Sequence, residues 1–194
     1  MLRNTIRSSL LILLCYCPVS VYAQAVTIIG SGEDARNCSF TAEAAANLNF
    51  TSKEDLEDCD RALEYGALSR RDKAATFVNR GIILVALERY QEAFSDYHRA
   101  MDLMPELPES YIGRGNIYFL AGKPRMAIDD YNKALELNIS RDHIAYLNMG
   151  IVYENIKDYK HAEEYYRRAL ELFPDWGLAK NKLERLLNRQ NNSS

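Results

Sequence analysis

The side chains with reactive chemistry are few, and their spacing limits what they can do. Cysteines stand at Cys15, Cys17, Cys38 and Cys59, and histidines at His98, His143 and His161. No His/Cys group has the short spacing of a metal site, and no nucleophile motif is present. The stretch "GSGEDARNC" (30–38) has glycines but no following lysine, so it is expected to be a lead-in loop rather than a phosphate cradle. Paired acids at Asp129–Asp130 and Glu163–Glu164 fall on helix-like stretches, where a solvated face is the ordinary explanation. No enzymatic activity, metal or cofactor is expected.

The elements that hold these residues begin with a leader. Met1 to Arg7 carries two arginines and no acid, "LLILLCYCPVSV" follows from Leu10, and Val21 and Ala23 close the stretch. That order is the signature of a secretory signal peptide, expected to be cleaved after Ala23. The apolar run is shorter than the roughly 20 residues a bilayer span needs, and no stable anchor is expected after cleavage. Cys15 and Cys17 follow Leu14 and Tyr16, a poor match to a lipoprotein site. Cleavage would leave 171 residues with 22 basic and 27 acidic side chains, a net charge of −5. Such a chain has no electrostatic footprint for nucleic acid. Two cysteines remain, Cys38 and Cys59, an even count that in an exported chain favours a disulfide over two buried thiols.

Beyond residue 70 the chain repeats itself. "SDYHRAMDLMP" (95–105), "DDYNKALELNI" (129–139) and "EYYRRALELFP" (164–174) are near copies. Gly81, Gly115 and Gly150 recur at steps of 34 and 35 residues, as do Ala93, Ala127 and Ala162, and Ala100, Ala134 and Ala169. Phe77, Tyr111 and Tyr146, and Tyr97, Tyr131 and Tyr166, keep the same time. A mid-helix glycine costs roughly 1 kcal/mol relative to alanine. Three at fixed spacing imply two helices too close for a side chain, with the Ala93 series facing the glycines across each hairpin. The aromatic stripe is core.

This period and residue order resemble the tetratricopeptide repeat, a helix–turn–helix unit. Units counted from Ala74, Pro108 and His143 match its aromatic, glycine and alanine slots, except that Leu84 replaces an aromatic and Ile139 a proline. The resemblance implies an all-α fold, a right-handed superhelical stack of hairpins with a C-terminal capping helix. The expected divisions are a signal peptide at 1–23, an N-terminal segment at 24–72, repeats at 73–107, 108–142 and 143–174, a capping helix at 175–190 and a flexible tail at 191–194. Gly122 and Pro124 mark one hairpin turn, and "ERY" (88–90) and "KDY" (157–159) hold the same place in the others. Upstream, "DCDRALEYG" (58–66) resembles "DYHRAMDLM". Aligned on the family pattern, Cys59 takes an aromatic slot, and Cys38 is implied to meet it across a degenerate hairpin. The degenerate cysteine-bearing unit followed by "NRG" also looks like small exported bacterial repeat proteins, which implies a periplasmic location.

In this family the first helix of each pair lines a concave groove. The slots that face it carry Val78, Asn79 and Ile82 from the first unit, with Ala75, Val85 and Ala86. The second supplies Ile112, Asn116 and Phe119, with Glu109, Gly113 and Leu120. The third supplies Leu147, Asn148 and Ile151, with Ile144, Glu154 and Asn155. Amides have donors and acceptors for an extended peptide backbone, and the apolar residues would take its side chains. Gly113 interrupts the asparagine series. The family's carboxylate clamp needs lysine and asparagine where Val78 and Ile82 stand. The expectation is an adaptor or assembly factor holding a protein or peptide partner in the envelope. Two alternatives stay open: these residues pack against the chain's own N-terminal segment or a second copy in a homodimer, or the protein is an accessory subunit of a secretion or cell-wall machine. Asn49-Phe-Thr, Asn138-Ile-Ser and other triplets fit the N-glycosylation acceptor pattern, a short pattern that often arises by chance and has no meaning in a bacterial source.

Overall fold

A computed structural model describes residues 32–48 and 52–191. The expected signal peptide, Asn49 and the last three residues lie outside these. The described residues form nine α-helices and one 3-10 turn, without a strand. They are α1 (Glu33–Leu48), the 3-10 turn Lys53–Leu56, α2 (Glu57–Tyr65), α3 (Arg70–Ala86), α4 (Tyr90–Leu103), α5 (Pro108–Leu120), α6 (Pro124–Glu136), α7 (Asp142–Asn155), α8 (Tyr159–Leu172) and α9 (Gly177–Asn191). Glu33 to Cys38 belong to α1, so the "GSGEDARNC" stretch is largely helix, a correction to the lead-in loop. None of the described helices is long and apolar enough to cross a membrane.

Local chemistry sets where each helix begins and ends. The Ser69 side chain accepts from the Asp72 amide and caps α3, and Asp158 accepts from the His161 amide at the start of α8. Pro108 and Pro124 open α5 and α6, where a missing N–H costs nothing. Each hairpin turns on one left-handed residue in the same slot: Glu88 (φ 59), Gly122 (φ 68) and Lys157 (φ 64). Two backbone bonds close each turn, as in Lys157 to Glu154 and Asp158 to Tyr153 in the third.

The helices pair as α3 with α4, α5 with α6 and α7 with α8, each pair stacked on the next. All six series alanines are fully buried. The glycines' close neighbour is not the opposing alanine but a tyrosine ring. A Cβ on Gly81, Gly115 or Gly150 would stand 2.8, 2.7 or 2.5 Å from Tyr97, Tyr131 or Tyr166. All three tyrosines are fully buried. The glycine series exists so that these rings can enter the hairpins.

At the N-terminal end, α1 lies against both α2 and α3. Ala35, Cys38, Ala42 and Ala45 give it a buried face of small side chains, which lets two helix backbones approach closely. Cys38 and Cys59 are joined by a disulfide that ties α1 to α2. α3 begins at Arg70, three residues before the expected boundary. At the other end α9 packs on α8 and buries Ala179 and Leu186.

Candidate interaction groove

The nine groove residues do not share one environment. Val78, Asn79, Ile82, Ile112, Asn116, Leu147 and Asn148 are all buried, and Phe119 and Ile151 are half-buried. In the first unit the reason is α1: Val78 and Ile82 share a core cluster with Ala42 and Ala45. The expectation that these seven present an open trough is corrected on that account: the chain's own helices cover them.

Two of the three asparagines are occupied with one another. Asn148 Nδ2 donates to Asn116 Oδ1 at 3.1 Å, and Tyr131 Oη donates to the same oxygen at 2.7 Å. This knot crosses from α7 to α5 and α6, so its amides join two units instead of reaching toward a peptide. Asn116 Nδ2 has no partner among the described residues. The buried tyrosines complete the pattern. Tyr166 Oη donates to Glu154 Oε2 at 2.7 Å, whereas Tyr97 Oη meets no partner among the described residues. Ile82 stands where Asn116 stands one unit later, which explains the difference. Burial pushes all three phenols well above the ordinary tyrosine range.

What remains accessible is the far end of the first helices. Val85, Ala86, Phe119, Leu120, Ile151 and Glu154 are half-buried, and Asn155 and Ile156 are exposed. Glu154 is held by Tyr166 and, at 3.5 Å, by Arg189 of α9. At the opposite end, burial raises the Glu109 carboxyl above its usual range, opposed by its own backbone bond and by Arg71.

A second series of polar contacts was not anticipated. Arg80 grips Asp96 through two bonds of 2.7 and 2.8 Å and reaches Asp60 at 2.6 Å. Arg114 grips Asp130 at 2.8 and 2.7 Å and contacts His98 at 3.3 Å. Asp96 and Asp130 are buried, so Asp130 is not the solvated surface acid expected of it. The signal was present: Arg80 to Arg114 and Asp96 to Asp130 are both steps of 34. In the third unit Met149 and Tyr165 hold the same slots, and the pair is absent. The cleft beside Arg80 is lined by Arg89, Arg99, Asp60, Glu92 and Asp96, charges that answer each other. By contrast, Glu163 and Glu164 pair with Arg167 and Arg168 on exposed surface.

The histidines sit apart in three settings. His98 packs on Phe94, His143 lies between Phe173 and Trp176, and His161 bonds Asp158. No group of His, Cys, Asp and Glu among the described residues is arranged to hold a metal ion.

Comparison with known proteins agrees with this architecture. The tetratricopeptide repeat family pattern matches residues 72–140 and 106–175, together more than half of the chain. The human protein O-mannosyl-transferase TMTC3 is 29% identical over 150 residues, 76% of this chain but 16% of that protein. The Xenopus laevis RNA polymerase II-associated protein 3 is 33% identical over 144 residues, 72% of this chain and 20% of its own length. The chain therefore spans about a sixth to a fifth of these relatives. Among solved structures, the first TPR of Spaghetti (RPAP3) bound to the HSP90 peptide SRMEEVD superposes with a TM-score of 0.57 at 29% identity, covering 64% of this chain and 96% of that one. The Cut9–Hcn1 assembly of APC/C superposes with a TM-score of 0.60 at 17% identity over 80% of this chain and 32% of its own, a likeness of fold alone. On the matched residues and the stacked hairpins alike, the chain belongs to the tetratricopeptide repeat family.

Proposed function

We propose that this protein is an exported, non-catalytic adaptor or assembly factor that holds an apolar segment of a partner protein across the accessible end of its groove. The observation that carries this reading is the half-buried strip of Phe119, Leu120 and Ile151 beside Asn155 and Ile156. Half-buried apolar residues repeated at the same end of two first helices are the kind of feature that marks an interaction site. The likeness to a repeat domain with a bound peptide supports a binding role. The ligand differs in kind from that peptide's acidic end, because Val78 and Ile82 occupy the slots where a carboxylate clamp needs lysine and asparagine. The disulfide supports an oxidising compartment, the periplasm in a bacterium or the secretory lumen in a eukaryote.

The test is a crosslinking pull-down from an extract of that compartment. The parent is compared with Phe119→Glu plus Ile151→Glu, after circular dichroism shows that the variant keeps its helix content. A partner captured by the parent and lost by the folded variant supports the groove. Equal capture moves binding to the outer surface or to α1 and α2. A mass that rises with concentration and no captured partner would favour the self-associating alternative, in which α1 already fills the first unit's inner face.

A further inference from the structure

The connections between units are chemically unequal. α4 to α5 and α8 to α9 are joined by 104–107 and 173–176, each containing a proline, Pro105 and Pro174. The α6 to α7 connection, 137–141, is one residue longer and has Ile139 where a proline would stand. This insertion is why the repeat step changes from 34 to 35. The segment reads Asn138-Ile139-Ser140, an N-glycosylation triplet that a proline at its centre would abolish.

The fold presents this triplet well. Asn138 follows the C-cap of α6 in the left-handed conformation, φ 57, with its backbone N–H on the Leu135 carbonyl. Ile139 is buried and bonds back to Ala134, anchoring the turn, while Asn138 and Ser140 are exposed on either side of it. Among the described residues neither the Asn138 carboxamide nor the Ser140 hydroxyl has a partner. The surrounding Asn132, Lys133, Glu136 and Arg141 are exposed and polar, so a bulky hydrophilic group displaces no packing. The triplet Asn37-Cys38-Ser39 offers none of this, because Cys38 is fully buried in the disulfide in mid-helix.

We propose that Asn138 is the acceptor of an N-linked glycan, donated by a lipid-pyrophosphate-linked oligosaccharide in the compartment where the disulfide forms. Asn138 Nδ2 attacks the anomeric carbon of the donor sugar. The new C–N bond replaces the C–O bond to the pyrophosphate, Nδ2 gives up one proton, and the lipid pyrophosphate leaves. The proposal rests on the export reading above, and the test separates the two.

The full chain, with its own leader, is translated in the presence of endoplasmic-reticulum membranes. Parent, Asn138→Gln, Ser140→Ala and Ser140→Thr are compared for protease protection and for a mobility shift removed by a glycan-cleaving amidase. The expected result is a protected, shifted parent, complete loss of the Asn138-linked shift in Asn138→Gln and Ser140→Ala, and its retention in Ser140→Thr. Peptide mass spectrometry should find Asn138 converted to aspartate after amidase treatment. A protected chain without modification at Asn138 overturns the glycan and leaves export standing. A chain left wholly unprotected overturns both.

Discussion

Tyr97 and Tyr131 invite the same substitution with opposite results. Both are fully buried against a series glycine in equivalent hairpins. Tyr131 gives its hydroxyl to Asn116, while the Tyr97 hydroxyl, in the unit where Ile82 replaces that asparagine, has no partner among the described residues. A buried polar group without a partner costs about 1–3 kcal/mol in desolvation, and a neutral hydrogen bond contributes about 1 kcal/mol net. Tyr97→Phe removes the penalty and should stabilise by about 1 kcal/mol. Tyr131→Phe loses a bond and should destabilise by about the same amount, since Asn148 still serves the Asn116 oxygen. The two should differ by about 2 kcal/mol, or roughly 4–8 °C in Tm for a chain of this size. Tyr166→Phe should cost more than Tyr131→Phe, because its acceptor is the Glu154 carboxylate and such bonds contribute about 1.5–3 kcal/mol. Burial keeps all three phenols neutral near neutral pH, so ionisation does not confuse the comparison. Urea unfolding of the disulfide-intact protein, followed by helical circular dichroism at matched slopes, measures each change. A Tyr97→Phe variant as destabilised as Tyr131→Phe would refute the reasoning.

The remaining expectations concern the disulfide, the glycines and one histidine. Closing the 21-residue separation between Cys38 and Cys59 should stabilise by about 3 kcal/mol, read as the loss on reduction; unreduced protein lacking residues 1–23 should show no titratable thiol. Gly150→Ala should cost about 1–3 kcal/mol through overpacking against Tyr166, whereas Gly177→Ala, with open space around its Cβ, should be neutral or slightly stabilising by thermal melt. Burial lowers the His143 pKa below its ordinary 6.5, with Arg141 adding repulsion and Asp142 opposing. The unfolded chain then binds the proton first on acidification, so this contribution to stability is lost as pH falls below about 6.5. The fluorescence of Trp176, the sole tryptophan and 5.1 Å from the His143 ring, should titrate with a midpoint under 6.5 and lose that transition in His143→Gln; a midpoint at or above 6.5 would contradict it.

The repeat could be read in the sequence because packing repeats: glycine, alanine and tyrosine return whenever the same steric problem returns. The cysteine pairing followed from the same register, with Cys59 in a tyrosine's slot. The groove was harder to read for a physical reason. Inner-face slots say which side of a helix a residue occupies, not whether another helix lies across it. The small side chains of Ala35, Ala42 and Ala45 bring α1 onto α3 and close over Val78 and Ile82. Asp130 was misread because a single acid carries no mark of its partner sixteen residues away. Only its pairing with Asp96 at one repeat, and of Arg80 with Arg114, distinguishes a buried ion pair from solvated charge.

The polar knot between Asn116 and Asn148 has a consequence for how near-identical hairpins find their neighbours. Each inner seam is different: the Tyr97 ring lies on Gly113 at the first, two amides meet at the second, and Glu154 meets Arg189 at the third. A hairpin docked out of turn, or borrowed from another chain, would set an amide against Ile82 or a side chain against the Tyr97 ring. Either mismatch strands a buried polar group or forces apart a tight contact. The seams therefore favour the native neighbour at each step, and units built from one phrase are told apart by the contacts between them.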